Sequence, residues 1–150
     1  ETDIEQLRRE MNALASTLPE YEVVMGMYGV GKTYGPQLIA EIGDVSRFTH
    51  REAITAFAGV DPGVEQSGQH NSKSNKASKC GTGRLRKTLF QVMTTLLQNA
   101  PENEPVYQFL NRKRSEGKPY YVYMTAGANK FLRIYYGKVK AHLRSLEQNE

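Results

Sequence analysis

Gly26-Met27-Tyr28-Gly29-Val30-Gly31-Lys32-Thr33 is the first stretch whose residue types and spacing could do chemistry. It satisfies G-x-x-x-x-G-K-[ST], the pattern of a loop that cradles nucleotide phosphates. Its inner part, Gly29-Val30-Gly31 followed by Lys32, is also the turn of a helix-hairpin-helix, which grips a DNA backbone. Both readings rest on glycine-freed N–H groups at a helix N-terminus, which attract a phosphate. A plain helix–helix connection, with glycines for close packing, is the third reading. The second such stretch is basic: no Asp or Glu stands between Gln66 and Pro101, while His70, Lys73, Lys76, Lys79, Arg84, Arg86 and Lys87 do.

Charge is unevenly placed along the whole chain. Residues 1–65 hold 5 Lys and Arg against 11 Asp and Glu, whereas residues 66–146 hold 15 against 3. Such polarity favours a polyanionic partner, of which nucleic acid is the commonest, although basic solvated helix faces are also frequent. At 150 residues the chain makes one ordinary domain, here with a helical appendage. No apolar run is long enough to span a bilayer, and the expected partners include no membrane. The single cysteine, Cys80, leaves no internal disulfide framework and fits a reducing compartment. The chain opens at Glu1 rather than Met and is expected to be a piece of something longer.

The elements that would position these stretches read as helices. Ile4, Leu7, Met11, Leu14 and Leu18 have the alternating three- and four-residue spacing of a coiled-coil seam. A seam so short is either an arm that pairs with another chain or an amphipathic helix lying on its own domain. Residues 1–18 are therefore read as an arm, 19–146 as a helical domain and 147–150 as a tail. Pro36 belongs in a first helical turn, which predicts a helix from about Gly35 with Leu38, Ile39 and Ile42 inward. Thr49 and Glu52 have capping-box spacing for a short helix carrying Ala53, Ile54, Phe57 and Ala58. Gly59 to Gly83, rich in Gly, Ser, Asn and Lys, reads as a long loop, of the kind that is functional or disordered. Helical spacing resumes at Leu85, Leu89, Val92, Met93, Leu96 and Leu97, then over 103–117, then from Tyr120 to Leu146. The fold class is all-α.

That class decides between two readings of the glycine turn. A nucleotide-hydrolysing loop needs a parallel sheet beneath it, and no later segment has the period of a strand. An apolar run ending in an Asp for magnesium is also missing. The helix-hairpin-helix asks only for two helices and a tight turn, with Lys32 adding charge near the same phosphate. Such contacts hold and orient DNA without reading its sequence.

Several short motifs then follow in a specific order. They are Gly29-Val30-Gly31, Leu38-Ile39-Ala40-Glu41-Ile42-Gly43-Asp44, Arg47-Phe48, Ala56-Phe57-Ala58-Gly59-Val60-Asp61-Pro62, Gln66-Ser67-Gly68, and Ser78-Lys79-Cys80-Gly81 leading to Leu85-Arg86. This order resembles the C-terminal transposase domain of the Piv-like insertion-sequence recombinases, which carry a RuvC-like DEDD nuclease domain N-terminally. The likeness covers roughly residues 19 to 98 well. Tyr28 stands where the family usually has Pro, and Cys80 where it often has Arg.

The resemblance implies a mechanism. Metal-binding carboxylates of the RuvC-like domain act together with a serine of this domain, which attacks the DNA phosphodiester and holds the strand covalently. The matching serine is Ser67; Ser78 is its nearest competitor, and a serine before a glycine is otherwise an ordinary turn residue. The surrounding cations would bind phosphate oxygens in the charged transition state. The DNA-binding set is thus Gly29, Gly31, Lys32, His70, Lys73, Lys76, Lys79, Arg84 and Arg86. No metal site and no cofactor are expected in this chain, because magnesium belongs with the RuvC-like domain. The resemblance further implies a bacterial cytoplasmic protein at the nucleoid, DNA as partner and a guide RNA as a second partner, while the seam of residues 1–18 predicts a homo-oligomer through the N-terminal helix. The alternatives are a non-catalytic helix-hairpin-helix module, in which Ser67 is a turn residue, and an oligomerisation arm carrying a basic domain.

Overall fold

The computed structural model describes residues 2–61 and 72–150, and the side chains of these except in 72–82. In chain order the helices are α1 (Asp3–Ala15), α2 (Tyr21–Met25), α3 (Gly31–Ile42), α4 (Arg51–Ala58), α5 (Ser72–Asn99), α6 (Pro105–Ser115) and α7 (Tyr120–Gln148). A 3-10 turn, Val45–Arg47, lies between α3 and α4. Among the described residues there is no strand, so the fold is all-α and no sheet underlies the glycine turn. No described helix is long and apolar enough to cross a membrane.

Two long helices organise the rest. α7 buries Met124, Ala128, Phe131, Leu132, Tyr135 and Val139, the face its spacing predicts, against α2, α4, α5, α6 and the 3-10 turn. α5 buries Leu85, Leu89, Val92, Met93 and Leu96 against α3, α4, α6 and α7. Small residues let the helices approach closely. A Cβ at Gly127 of α7 would collide with Leu110 of α6 and lie 3.1 Å from the Met93 sulfur of α5. Polar ties then set the register: the Tyr136 hydroxyl donates to the Phe48 carbonyl at 3.1 Å and accepts from Lys140 Nζ at 2.8 Å. Tyr135 is fully buried, and burial, reinforced by the charge of Glu20, pushes its hydroxyl well above the ordinary range, so it stays neutral.

α1 begins with a capping box, Thr2 and Glu5 each bonding the other's backbone N–H. Its far end is fixed by buried Ala15 and by the Tyr21 hydroxyl donating to Asn12. The seam itself faces solvent: Ile4 is 64% exposed, Leu7 63% and Leu14 72%. Met11 is half-buried, and α1 contacts α3.

Three expectations from the sequence are corrected. The stretch 72–83 is not loop, because α5 starts at Ser72 and runs through Gly81 and Gly83. A helical glycine costs only about 1 kcal/mol relative to Ala, and no proline interrupts 72–99, so a long packed helix absorbs both. The rest of the expected loop, 62–71, lies outside the described residues. α3 starts at Gly31 rather than Gly35, which places Pro36 inside it. The carbonyl that loses its partner to Pro36 is that of exposed Lys32, in the first turn, where solvent can take the place of the lost N–H. The expected capping box at α4 does not form. His50 is the N-cap without a side-chain bond, one residue later than expected, and Thr49–Glu52 falls out of register.

Candidate nucleic-acid interface

The glycine turn joins α2 to α3 and rests on α5. Met27 and Val30 anchor it in the core, whereas Tyr28 is 65% exposed. Its two inner glycines have different reasons to be glycine. Gly29 has φ +84, and a Cβ there would lie 3.1 Å from the Val92 carbonyl oxygen and 3.0 Å from Leu96 Cγ. This position therefore serves close packing, as well as a conformation that L-residues avoid. Gly31 has φ +61 with open space around it, so only its backbone conformation calls for glycine.

Gly31 is also the first residue of α3, and the N-cap Val30 offers no side-chain acceptor. The first-turn N–H groups of α3 are thus left without a side-chain cap beside exposed Lys32. That end of the helix carries partial positive charge and suits a phosphate. A cavity of about 200 Å3 flanks the turn, lined by Gly26, Met27 and Tyr28, the start of α6, and Phe131, Ile134 and Lys138 of α7.

The second stretch is held at its base. Gly59 closes α4 in the left-handed conformation, with the Arg86 guanidinium so close that a Cβ at 59 would lie 2.9 Å from Nη1. The next residue, Val60, is fully buried, and its carbonyl accepts from Asn129 Nδ2 at 3.1 Å. Ser67 and His70 lie in 62–71, outside the described residues. Lys73, Lys76 and Lys79 recur every third residue in the backbone of α5, and their side chains also lie outside. Arg84 is exposed and Arg86 half-buried. The structure therefore brings the turn and the base of the Ser67 segment onto one helix. The turn rests at Val92 and Leu96 and Gly59 at Arg86, about 9–15 Å apart along α5 at 1.5 Å per residue.

Other charged groups are committed to structure. Arg47 donates twice to the Ile42 carbonyl and stacks on Phe48 and Phe57. Asp44 caps the 3-10 turn, and the Ser46 N–H holds its carboxyl below the usual range. His142 bonds the Pro19 carbonyl and His50 meets Glu52. Among the described residues no group of three His, Cys, Asp or Glu is placed to hold a metal ion. A cavity of about 660 Å3 lies away from both stretches, near Leu18, Val45 and Leu143. Glu20, Asp44, Glu147 and Glu150 outnumber Lys140 and Arg144 on its walls, which disfavours a polyanion there.

Sequence reasoning missed one cluster. Arg51 of α4, Phe109 of α6, and Asn129, Lys130 and Arg133 of α7 line a cleft of about 410 Å3. Lys130 and Arg133 are three apart on a helix, the one local signal; the other members come together only through packing.

Comparison with known proteins bears on both stretches at once. Two curated pilin gene-inverting proteins, from Moraxella bovis and Moraxella lacunata, are each 27% identical to the chain over 141 residues. The match takes in 91% of this chain and 43% of each relative, so the chain spans less than half of their length. No solved structure matches it significantly. The model of the IS116/IS110/IS902 transposase family matches residues 21–108, a span that runs from α2 through the glycine turn and the Ser67 segment into α6. With more than half of the chain matched, and both candidate stretches inside the match, this protein belongs to the IS116/IS110/IS902 transposase family.

Proposed function

We propose that this chain is the DNA-holding and strand-joining part of a transposase or site-specific recombinase, and that it acts together with a RuvC-like domain. One observation supports this above the others: a single family match spans the glycine turn and the Ser67 segment, and the turn and Gly59, before that segment, both rest on α5. In this reading α2, the turn and α3 act as a helix-hairpin-helix, and the free N–H groups of α3 and the Lys32 ammonium hold a backbone phosphate. Ser67 is the nucleophile. Its Oγ forms a bond to phosphorus while a bond from phosphorus to a sugar oxygen breaks, and the serine proton ends on the released sugar hydroxyl. Attack by a different strand's hydroxyl on the serine phosphodiester reverses the chemistry and joins new ends. Cations of the 66–87 tract offset the charge that builds on the phosphate oxygens. The carboxylate-held magnesium of the RuvC-like domain would supply the remaining activation, and no residue described here substitutes for it.

The division of labour has a direct test. Residues 1–150 alone should bind a DNA duplex without sequence preference, with affinity falling steeply between about 50 and 200 mM salt. They should not cut it, even with magnesium. Cutting by this chain alone, or absence of salt-sensitive duplex binding, would overturn the reading.

α1 is assigned to self-association, because its apolar seam is exposed over two heptads. Leu7→Asp should shift the chain to monomer in sedimentation velocity without loss of helix content. An unchanged sedimentation profile for this variant would remove α1 from the assembly.

A further inference from the structure

We propose that the cleft walled by Arg51, Lys130 and Arg133 is a second seat for the DNA sugar–phosphate backbone, beside the point where the Ser67 segment leaves the domain. The inference rests on the DNA-handling reading above and adds a site that neither sequence motifs nor family likeness single out.

Four features carry it. The first is convergence: α4, α6 and α7 build a cleft of about 410 Å3 whose lining includes three cations and no carboxylate. The second is unbalanced charge at its α6 wall. Lys130 Nζ, Arg112 Cζ and Lys113 Nζ stand 5.4, 5.6 and 5.7 Å from the Phe109 ring centroid. The ring offsets part of this charge, and Glu116 meets Lys113 at 3.7 Å. Among the described residues Lys130 and Arg112 have no carboxylate partner, so the group favours an external anion.

The third feature is an internal competitor at the rim. Glu52 reaches Arg51 Nε at 3.4 Å and Arg133 Nη2 at 3.8 Å. All three side chains are more than 40% exposed, so these pairs are weak and exchangeable. A backbone phosphodiester presents two oxygens of like charge to both guanidiniums in bidentate geometry, and neighbouring phosphates on the strand add further charge. The fourth is placement. Asn129 lines the cleft and also donates to the Val60 carbonyl, one residue before Asp61 and the start of 62–71. A strand seated here passes the base of the segment that carries Ser67. The turn at Lys32 and this cleft would then hold one duplex at two points, which fixes its direction across the domain as one point cannot.

The test uses residues 1–150 and a 30-base-pair duplex, read by fluorescence anisotropy across a salt series. Lys130→Gln with Arg133→Gln should weaken binding about tenfold near 100 mM salt and flatten the log–log salt slope by about two. Glu52→Gln should tighten binding about threefold by freeing Arg51 and Arg133, with the slope unchanged or steeper. Arg8→Gln, which removes one charge from α1, should leave both within error. Helix content by circular dichroism checks that each variant folds. If the double variant binds like wild type while Lys32→Gln still weakens, the cleft is not a DNA seat and the turn acts alone. Equal losses for Arg8→Gln would reduce the effect to net charge and overturn the proposal. Failure of the wild-type chain to bind duplex would instead overturn the DNA-handling reading on which it rests.

Discussion

Ser67→Ala, placed in a protein that carries both this chain and a RuvC-like domain, is expected to abolish strand exchange while duplex affinity stays within about twofold. The size of the loss follows from the role. Removing the nucleophile of a covalent mechanism leaves positioning and electrostatic stabilisation with no covalent intermediate to act on, so a fall on the order of 10^4 or more is expected. Binding should be spared because a hydroxyl contributes little beside the Lys32 and α5 cations proposed to meet the phosphates. Measuring exchange and affinity on one preparation separates the catalytic role from the non-catalytic alternative. In the latter Ser67 is a turn residue, and its alanine variant exchanges strands normally.

The second large effect falls on the glycine turn. Gly29→Ala should cost about 3 kcal/mol of stability, from two terms. An L-residue at φ +84 costs about 1–2 kcal/mol, and forcing a methyl onto the Val92 carbonyl and Leu96 adds about 1–3 kcal/mol. Such a loss is a large share of the ~5–15 kcal/mol that holds a domain together, and lowers the melting midpoint by roughly 6–12 °C. Gly31→Ala is the informative contrast. Its φ of +61 carries the same conformational cost, but its Cβ meets nothing, so only about 1–2 kcal/mol is expected. Urea denaturation of both variants distinguishes the two roles. Equal losses would show that close packing at α5 does not explain Gly29.

Much of the fold was legible because its long helices keep strict apolar spacing. Leu85 to Leu96 and Met124 to Val139 were readable as buried faces, and 103–117 as a helix that overlaps α6 within two residues at each end, from local chemistry alone. The start of α5 was not legible. Its first turns carry Ser, Asn and two glycines, which individually prefer loops, and before Leu85 only the small Ala77 and Cys80 are apolar, too few to show a period. Pro36 misled for a related reason. The rule against interior proline assumes an unreplaceable bond, whereas the bond lost here opens to solvent at Lys32.

The candidate site divides in the same way. The Gly29-Val30-Gly31-Lys32 turn is contiguous and could be read directly, although only packing against α5 tells the two glycines apart. The cleft could not be read. Its cations stand at 51, 130 and 133, and meet only because α4 packs against α7. Ser67 was reached through family likeness, since a serine before a glycine has no spacing that marks it as reactive.

The account turns on a covalent bond at one atom, and that bond can be sought directly. The protein with its RuvC-like domain would be incubated with magnesium and a nicked duplex that loses its leaving strand, so that the intermediate cannot reverse. After nuclease and protease digestion, mass spectrometry should find a nucleotide remnant on the peptide carrying Ser67 Oγ. A remnant on Ser78 or Cys80, or strand exchange with no protein–DNA adduct, would contradict the account.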